Sequence, residues 1–160
     1  MSISVTNLVE AVYFMLPAYC ANAAPVIFGG GHPIDGGRLF RDGRPVFGSN
    51  KTVRGFFVGL ITGTLVGIVQ GTTLLGFMLS LGTLVGDLVH SFVKRRLNMP
   101  PGSPFPVVDQ LDFVVGALLF SIPIHQPSLP AALIIFIITP SIHLLTNLLA
   151  YFVGLKKTPW

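Results

Sequence analysis

Residues 53–93 read VRGFFVGLITGTLVGIVQGTTLLGFMLSLGTLVGDLVHSFV, 41 residues of which the inner 32, Gly55 to Gly86, contain no Asp, Glu, Lys or Arg. The topology turns on whether this stretch crosses a bilayer once or twice. A span needs about 20 apolar residues, so the stretch suffices for two, with a tight turn at "QGTT", Gln70 to Thr73. Charge placement favours two. Arg38, Arg41, Arg44, Lys51 and Arg54 then share a side with Lys94, Arg95, Arg96, Lys156 and Lys157, and the opposite loops carry no cation. A single tilted crossing would divide the two basic loops between the two sides, against the tendency of Lys and Arg to remain cytoplasmic.

Composition agrees with a bilayer as solvent. Of 160 residues 51% are hydrophobic and 10% charged, with a mean hydropathy of +0.75. Soluble domains carry about 25% charged residues, and fewer than half that many cannot cover a globule with a water-compatible surface. The reading is therefore an all-α, polytopic integral membrane protein of one domain, residues 1–160. About five spans are expected, near 5–28, 53–70, 74–93, 112–124 and 130–154. The N-terminus is expected outside and the C-terminus in the cytoplasm, with cytoplasmic loops at about 29–52 and 94–111. The first apolar run has no Lys or Arg before residue 38 and reads as a span, not a cleaved signal. Glu10 lies within two turns of its start and is placed at the interface. The single Cys20 excludes an internal disulfide and a multi-cysteine metal site. In a membrane chain the net charge of +4 reports topology and lipid headgroups, so nucleic acid is not expected as a partner.

Polar residues gather in three places. The first is the loop GGGHPIDGGRLFRDGRPVFGSNKTVRG, residues 29–55, whose glycines permit close approach to a phosphate while Lys51 and Arg54 supply charge. Gly43-x4-Gly48 suggests a nucleotide P-loop, but Ser49 and Asn50 separate it from Lys51-Thr52, and no strand precedes it. The other reading of this segment is a flexible loop holding topology charges. The second place is GDLVHSFVKRR, residues 86–96. Asp87, Ser91 and Lys94 fall at i, i+4 and i+7, with His90 adjacent, and so share one helix face. Acids inside spans are costly and usually mark a site, although a plain ion pair with a nearby cation is the alternative. The third is "DQLD", where Asp109 and Asp112 at i, i+3 lie on one face. Such a pair suits a divalent ion, and it equally suits a helix start with acids at the N-cap and third position. Together, Asp87, Asp109 and Asp112 beside a cluster of cations read as a magnesium-assisted phosphate site, since magnesium takes one or two carboxylates plus substrate phosphates. Cations next to it would neutralise phosphate oxygens.

These residues carry a family resemblance. "SNKTVRG", residues 49–55, is similar to the Ser-Pro-Lys-Lys-Thr-x-Glu-Gly segment of CDP-diacylglycerol synthases. "SFVKRR", residues 91–96, resembles their Ser-x-x-Lys-Arg signature, and "DQLD" their Asp-Arg-x-Asp. The short length, five expected spans and Gln110 resemble the archaeal branch of that family, the CDP-archaeol synthases. Arg54 stands where the bacterial pattern has Glu. The resemblance implies transfer of CMP from CTP to an unsaturated ether lipid phosphate, 2,3-bis-O-geranylgeranyl-glycerol 1-phosphate, giving CDP-archaeol and pyrophosphate at the cytoplasmic face of the cell membrane. It implies magnesium on Asp87, Asp109 and Asp112. Lys94, Arg95, Arg96 and Lys51 would hold phosphates, supported by Asn50, Thr52 and Ser91, with Asp35 and His90 as further candidates. Phosphatidic acid is the alternative substrate. A small-type acyltransferase or a CDP-alcohol phosphotransferase fits less well, lacking a need for three carboxylates or the expected series of paired acids. An ion-coupled carrier using Asp87 is the rival from another class, and carriers usually site their acids at midplane.

Overall fold

The computed structural model describes residues 4–156 and 158. Lys157, counted above among the cytoplasmic cations, lies outside the described residues. Five helices form in order: α1 (Val5–Phe28), α2 (Val53–Val69), α3 (Thr73–Arg96), α4 (Val108–Ser121) and α5 (Leu129–Phe152).

Local chemistry fixes most of the helix starts. Ser4 Oγ accepts the Asn7 backbone N–H at 3.3 Å while Asn7 Oδ1 accepts the Ser4 N–H at 3.0 Å, a reciprocal cap on α1. Thr52 Oγ1 accepts the Gly55 N–H at 3.1 Å at the head of α2, and Ser128 Oγ accepts the Ala131 N–H at 3.3 Å on α5. The α2–α3 reversal falls at the expected turn, where Gly71 takes a left-handed φ of 72°. Helix α3 runs on through Lys94, Arg95 and Arg96, whose charges complement the carbonyl end of the helix dipole. Helices α1, α3 and α5, each of 24 residues, are long and apolar enough to cross a membrane; α2 is apolar and shorter at 17 residues, and α4 has 14.

How the helices pack follows from where glycine sits. All four buried residues of α2 are glycines, Gly55, Gly59, Gly63 and Gly67, spaced every four positions along one face. A Cβ on Gly59 would lie 2.6 Å from the Ala21 carbonyl oxygen of α1, and one on Gly67 would lie 2.6 Å from the Gly76 Cα of α3. Within lipid there is little hydrophobic drive between helices, so small residues that let backbones touch supply dispersion contact instead. The α3–α4 crossing repeats the device: Gly82 and Gly116 face one another, and a Cβ on Gly86 would sit 2.7 Å from the Asp112 carbonyl oxygen. The opposite face of α2 sends Phe57, Ile61, Leu65 and Ile68 outward, each more than half exposed.

Larger side chains fill the middle, with Met15, Leu79, Phe113 and Ile135 fully buried among α1, α3, α4 and α5. Thr139 Oγ1 donates to the Ile135 carbonyl at 2.6 Å, so the Tyr19 hydroxyl 2.8 Å away is the donor in their contact and ties α1 to α5. At one end of the bundle Gln70 Nε2 donates to the Tyr13 carbonyl at 2.7 Å, and Glu10 accepts the Ser128 N–H and hydroxyl, each at 3.1 Å. Among the described residues, the acids and cations of the two long loops and of the α3 and α4 ends lie at the other end.

Candidate active site

At that other end, where α1, α3 and α5 finish and α2 and α4 begin, a cavity of about 640 Å³ opens. The face of α3 predicted from the i, i+4, i+7 spacing lines it, with Asp87, His90, Ser91 and Lys94, and Arg95 joins them. Asp109 and Asp112 reach it from α4, and Asn50 and Lys51 from the loop before α2. The three acids predicted from distant segments therefore meet at one site.

The charges are arranged in pairs. Lys51 Nζ donates to both oxygens of Asp87 at 2.6 Å. Lys94 Nζ donates to both oxygens of Asp109, at 2.8 and 2.9 Å, and to the Ser103 carbonyl at 2.6 Å. His90 Nε2 lies 2.7 Å from Asp109 Oδ1, and the Phe105 N–H donates to Asp109 Oδ2 at 2.7 Å. Lys94 and Arg95 are only 7% and 5% exposed, and cations are rarely buried so far unless paired. Lys94 satisfies that rule through Asp109. Arg95 does so only in part: it donates to the Pro100 carbonyl at 3.2 Å, and its Nε is buried without a partner. Arg95 also lines the cavity, and a guanidinium there suits an anionic oxygen.

Asp112 differs from the other two acids. It accepts the Phe113 N–H but makes no ion pair among the described residues, while the Asp87 and Asp109 charges act on it. Ligand atoms of His90, Asp109 and Asp112 lie within 4.8 Å of one another. Two carboxyls this close, with an imidazole beside them, are a donor set that fits a hard divalent cation. Asp109 and Asp112 converge with His90, while Asp87 and Asp109 are each engaged by a lysine, Lys51 and Lys94. The helix-cap alternative for "DQLD" is not what forms. Val107 is the N-cap of α4, with no side-chain cap bond and a φ of 67°.

Three predicted residues lie outside the cavity. Thr52 is occupied in capping α2. Arg96 turns away from it, stacked on Phe40 and Phe92 with centroid distances of 4.8 and 4.6 Å, paired with Asp42 at 3.0 Å and donating to the Pro45 carbonyl at 2.6 Å. Asp35 organises its own loop. It accepts the N–H groups of Gly37, Phe47 and Gly48 at 2.9–3.1 Å, between antiparallel bridges joining Pro33 to Thr52 and Leu39 to Pro45. The loop 29–52 is folded, so the flexible-loop reading gives way. Gly48, at φ 99°, shows why its residue type matters: a Cβ there would meet Pro101 Cγ at 3.3 Å and Arg95 Nη1 at 3.4 Å.

The partial burial of Asp35 works against its charge, but the N–H donors of Phe47, Gly48 and Gly37 hold its carboxyl below the usual range. A depressed folded value means the contribution is fully present above the unfolded value of about 3.9 and is lost as pH falls through the lower folded one. At neutral pH, Asp35→Asn is therefore expected to loosen the loop and speed tryptic cleavage after exposed Arg38 and Arg41 by about tenfold. Unchanged cleavage would show the carboxylate is not the loop's anchor.

Residues that the sequence reading passed over complete the cavity, Asn22 and Tyr19 of α1 and Thr139 and Asn147 of α5, with Lys156 beyond it; His143, which from sequence reads as a hydrogen-bonded packing residue, lines it too. His143 packs on Phe113, ring centroids 6.1 Å apart, while also facing the cavity. Burial pushes the Lys156 ammonium below its ordinary value, Asp109 acts to raise it and Lys51 to lower it, so all three share one field. The signal available was spacing: Thr139, His143 and Asn147 recur every four residues in an apolar helix.

Five apolar helices closing a paired acid–base cavity at one end define a polytopic membrane enzyme. The family model described as CarS-like CDP-archaeol synthase matches residues 4–74 and 71–160. The chain belongs to the CDP-archaeol synthase family, and so to the nucleotidyltransferases of membrane lipid biosynthesis. It is 50% identical to the CDP-archaeol synthase of Pyrococcus horikoshii over 96% of this chain and 98% of that one. It is 47% identical to that of Pyrococcus furiosus with the same coverage, and 45% identical to that of Methanococcoides burtonii over 91% and 100%. Among solved structures it resembles an intramembrane enzyme for archaeal membrane lipids biosynthesis, with a TM-score of 0.76 and 39% identity over 87% of this chain and 93% of that one.

Proposed function

We propose that this chain transfers CMP from CTP to 2,3-bis-O-geranylgeranyl-glycerol 1-phosphate, releasing pyrophosphate. The observation that carries the proposal is a single cavity in which carboxylates and buried cations meet apolar helix walls. The lipid phosphate has a second pKa of about 6 and is mostly dianionic at neutral pH, so no protein nucleophile is required. Its oxygen forms the new bond to the α-phosphorus of CTP as the bond from that phosphorus to the β-bridging oxygen breaks. The obstacle is repulsion between two polyanions. Lys51, Lys94 and Arg95 supply the positive field, with Asn50 and Ser91 as hydrogen-bonding support.

Magnesium fits the donor set, and Asp109 and Asp112, with Asp87 beside them, are the residues that would hold it. When bound it would neutralise phosphate charge and orient phosphate oxygens. His90, bonded to Asp109, is assigned to orienting that carboxylate, as outer partners of metal ligands do.

In this reading the helices are five spans of one domain, near 5–28, 53–70, 74–93, 112–124 and 130–154, with the C-terminus cytoplasmic. What supports the orientation is that the cations of both basic loops gather at the cavity end, together with Lys156, where CTP would arrive. Purified protein given CTP, magnesium and the ether lipid phosphate is expected to release pyrophosphate, and chelation by EDTA to stop it. Phosphatidic acid is expected to react more slowly. Release that persists in EDTA would remove the metal assignment, and no CTP-dependent release would remove the reaction.

A further inference from the structure

Helix α5 carries a polar array that the reaction above leaves without a task. Asn147 is 8% exposed on a helix otherwise apolar around it. Its Oδ1 accepts Lys156 Nζ at 3.0 Å, which leaves its Nδ2 to donate to His143 Nδ1 at 3.2 Å. A neutral His143 accepting at Nδ1 carries its proton on Nε2, a second donor at the cavity. The helix end brings Lys156 into place. Gly154 adopts a φ of 80°, and the Leu155 and Lys156 N–H groups fold back onto the Ala150 carbonyl at 2.8 and 3.2 Å, a glycine-terminated reversal. One cation and one neutral N–H donor, fixed by an amide between them, therefore face the cavity from the α5 side.

The surroundings select the ligand. Beside this array the lining is Leu149, Val153 and, from α1, Val26 and Ile27, all with exposed apolar surface. The nucleotide side, by contrast, has Asn50, Lys51, Lys94 and Arg95. One cation with neutral donors matches a phosphomonoester better than a triphosphate, and apolar surface running out to the bilayer matches its chains.

We propose that Lys156 and His143, held by Asn147, form the docking wall for the phosphate headgroup of the lipid substrate, distinct from the Lys51–Lys94–Arg95 wall that takes CTP. This rests on the cytidylyl-transfer reading and adds a subsite to it. Asn147 acts as a positioning residue, fixing both the histidine proton and the lysine.

The test uses the full chain in nanodiscs. Lys156→Ala is expected to raise KM for the ether lipid phosphate about tenfold, the loss of one charge-assisted hydrogen bond, with KM for CTP and kcat within about twofold. Lys156→Arg should restore most of the affinity, and Asn147→Leu should raise the lipid KM although the lysine remains. A rise in KM for CTP, or a fall in kcat with an unchanged lipid KM, overturns the assignment. A second arm needs no reaction: calorimetric binding of farnesyl phosphate without CTP. It should bind the parent more tightly than Lys156→Ala, while farnesol and inorganic phosphate bind neither appreciably. Equal binding by parent and variant overturns the proposal, and so does inorganic phosphate binding as tightly as farnesyl phosphate. Should the parent release no pyrophosphate, the reaction reading falls, and the farnesyl phosphate comparison still decides whether this wall binds lipid phosphate.

Discussion

Asp112→Asn is expected to lower pyrophosphate release by at least about 100-fold, more than any other single isosteric change in the cavity. The reason lies in the pairing. Asp87 already has Lys51 and Asp109 already has Lys94, at 2.6–2.9 Å, whereas Asp112 makes no ion pair among the described residues. Its carboxyl lies beside two other acids without a cation of its own, a place where a divalent ion would favour the ionised form. The amide can still accept the Phe113 N–H, so the local fold survives and the loss falls on chemistry. Magnesium-dependent CTP binding should disappear with the activity. Asp87→Asn is expected to lose activity too, but by a different route, because it also frees Lys51 to act as an unpaired cation. Asp112→Asn protein that retains activity and magnesium dependence would sink the assignment of a metal to this corner.

The second large effect is on stability. Gly116→Ala is expected to destabilise the bundle by about 1–3 kcal/mol through overpacking, although alanine is favoured over glycine in a helix by about 1 kcal/mol. The two effects have opposite signs, which makes the experiment decisive. A Cβ on Gly116 would collide with the Gly82 carbonyl and approach Gly86 Cα at 2.9 Å, both of them backbone atoms that cannot rotate aside. Parting α3 from α4 also separates Lys94 and His90 from Asp109, so activity should fall with the melting temperature. At Gly71, where nothing lies within 4 Å of the added carbon, packing does not oppose substitution and only the left-handed φ of 72° does. A Gly116→Ala protein as stable as the parent would mean that α3 and α4 do not touch backbone to backbone.

Helix placement was legible because bilayer thickness imposes long apolar runs, and the "QGTT" reversal announced itself by interrupting one. The meeting of Asp87 with Asp109 and Asp112 was legible for a related reason: once five crossings were inferred from the Arg and Lys positions, those acids had to share an end. The interior of the loop 29–52 was not legible. Its order comes from Asp35 gathering three N–H groups and from Arg96 stacking on Phe40 of the loop, and neither a tight turn around one acid nor a contact so distant in sequence is encoded by a periodicity. Arg96 shows the cost of reading charge alone, for its neighbour Arg95 faces the cavity while Arg96, one residue on, turns towards the loop. The α5 array was hidden by its surroundings. Isolated Asn and His residues in a hydrophobic span look like packing until the chain end folds Lys156 back onto them.

The all-glycine inner face of α2 has a consequence for how such a chain adapts. Phe57, Ile61, Leu65 and Ile68 on the outer face are each more than half exposed, and none of them lines the cavity. Membranes of different fluidity or thickness can therefore be matched by rewriting this outer ridge alone. The inner face is the opposite: it permits almost no change of size, so solvent matching and chemical geometry are assigned to separate sides of one short helix.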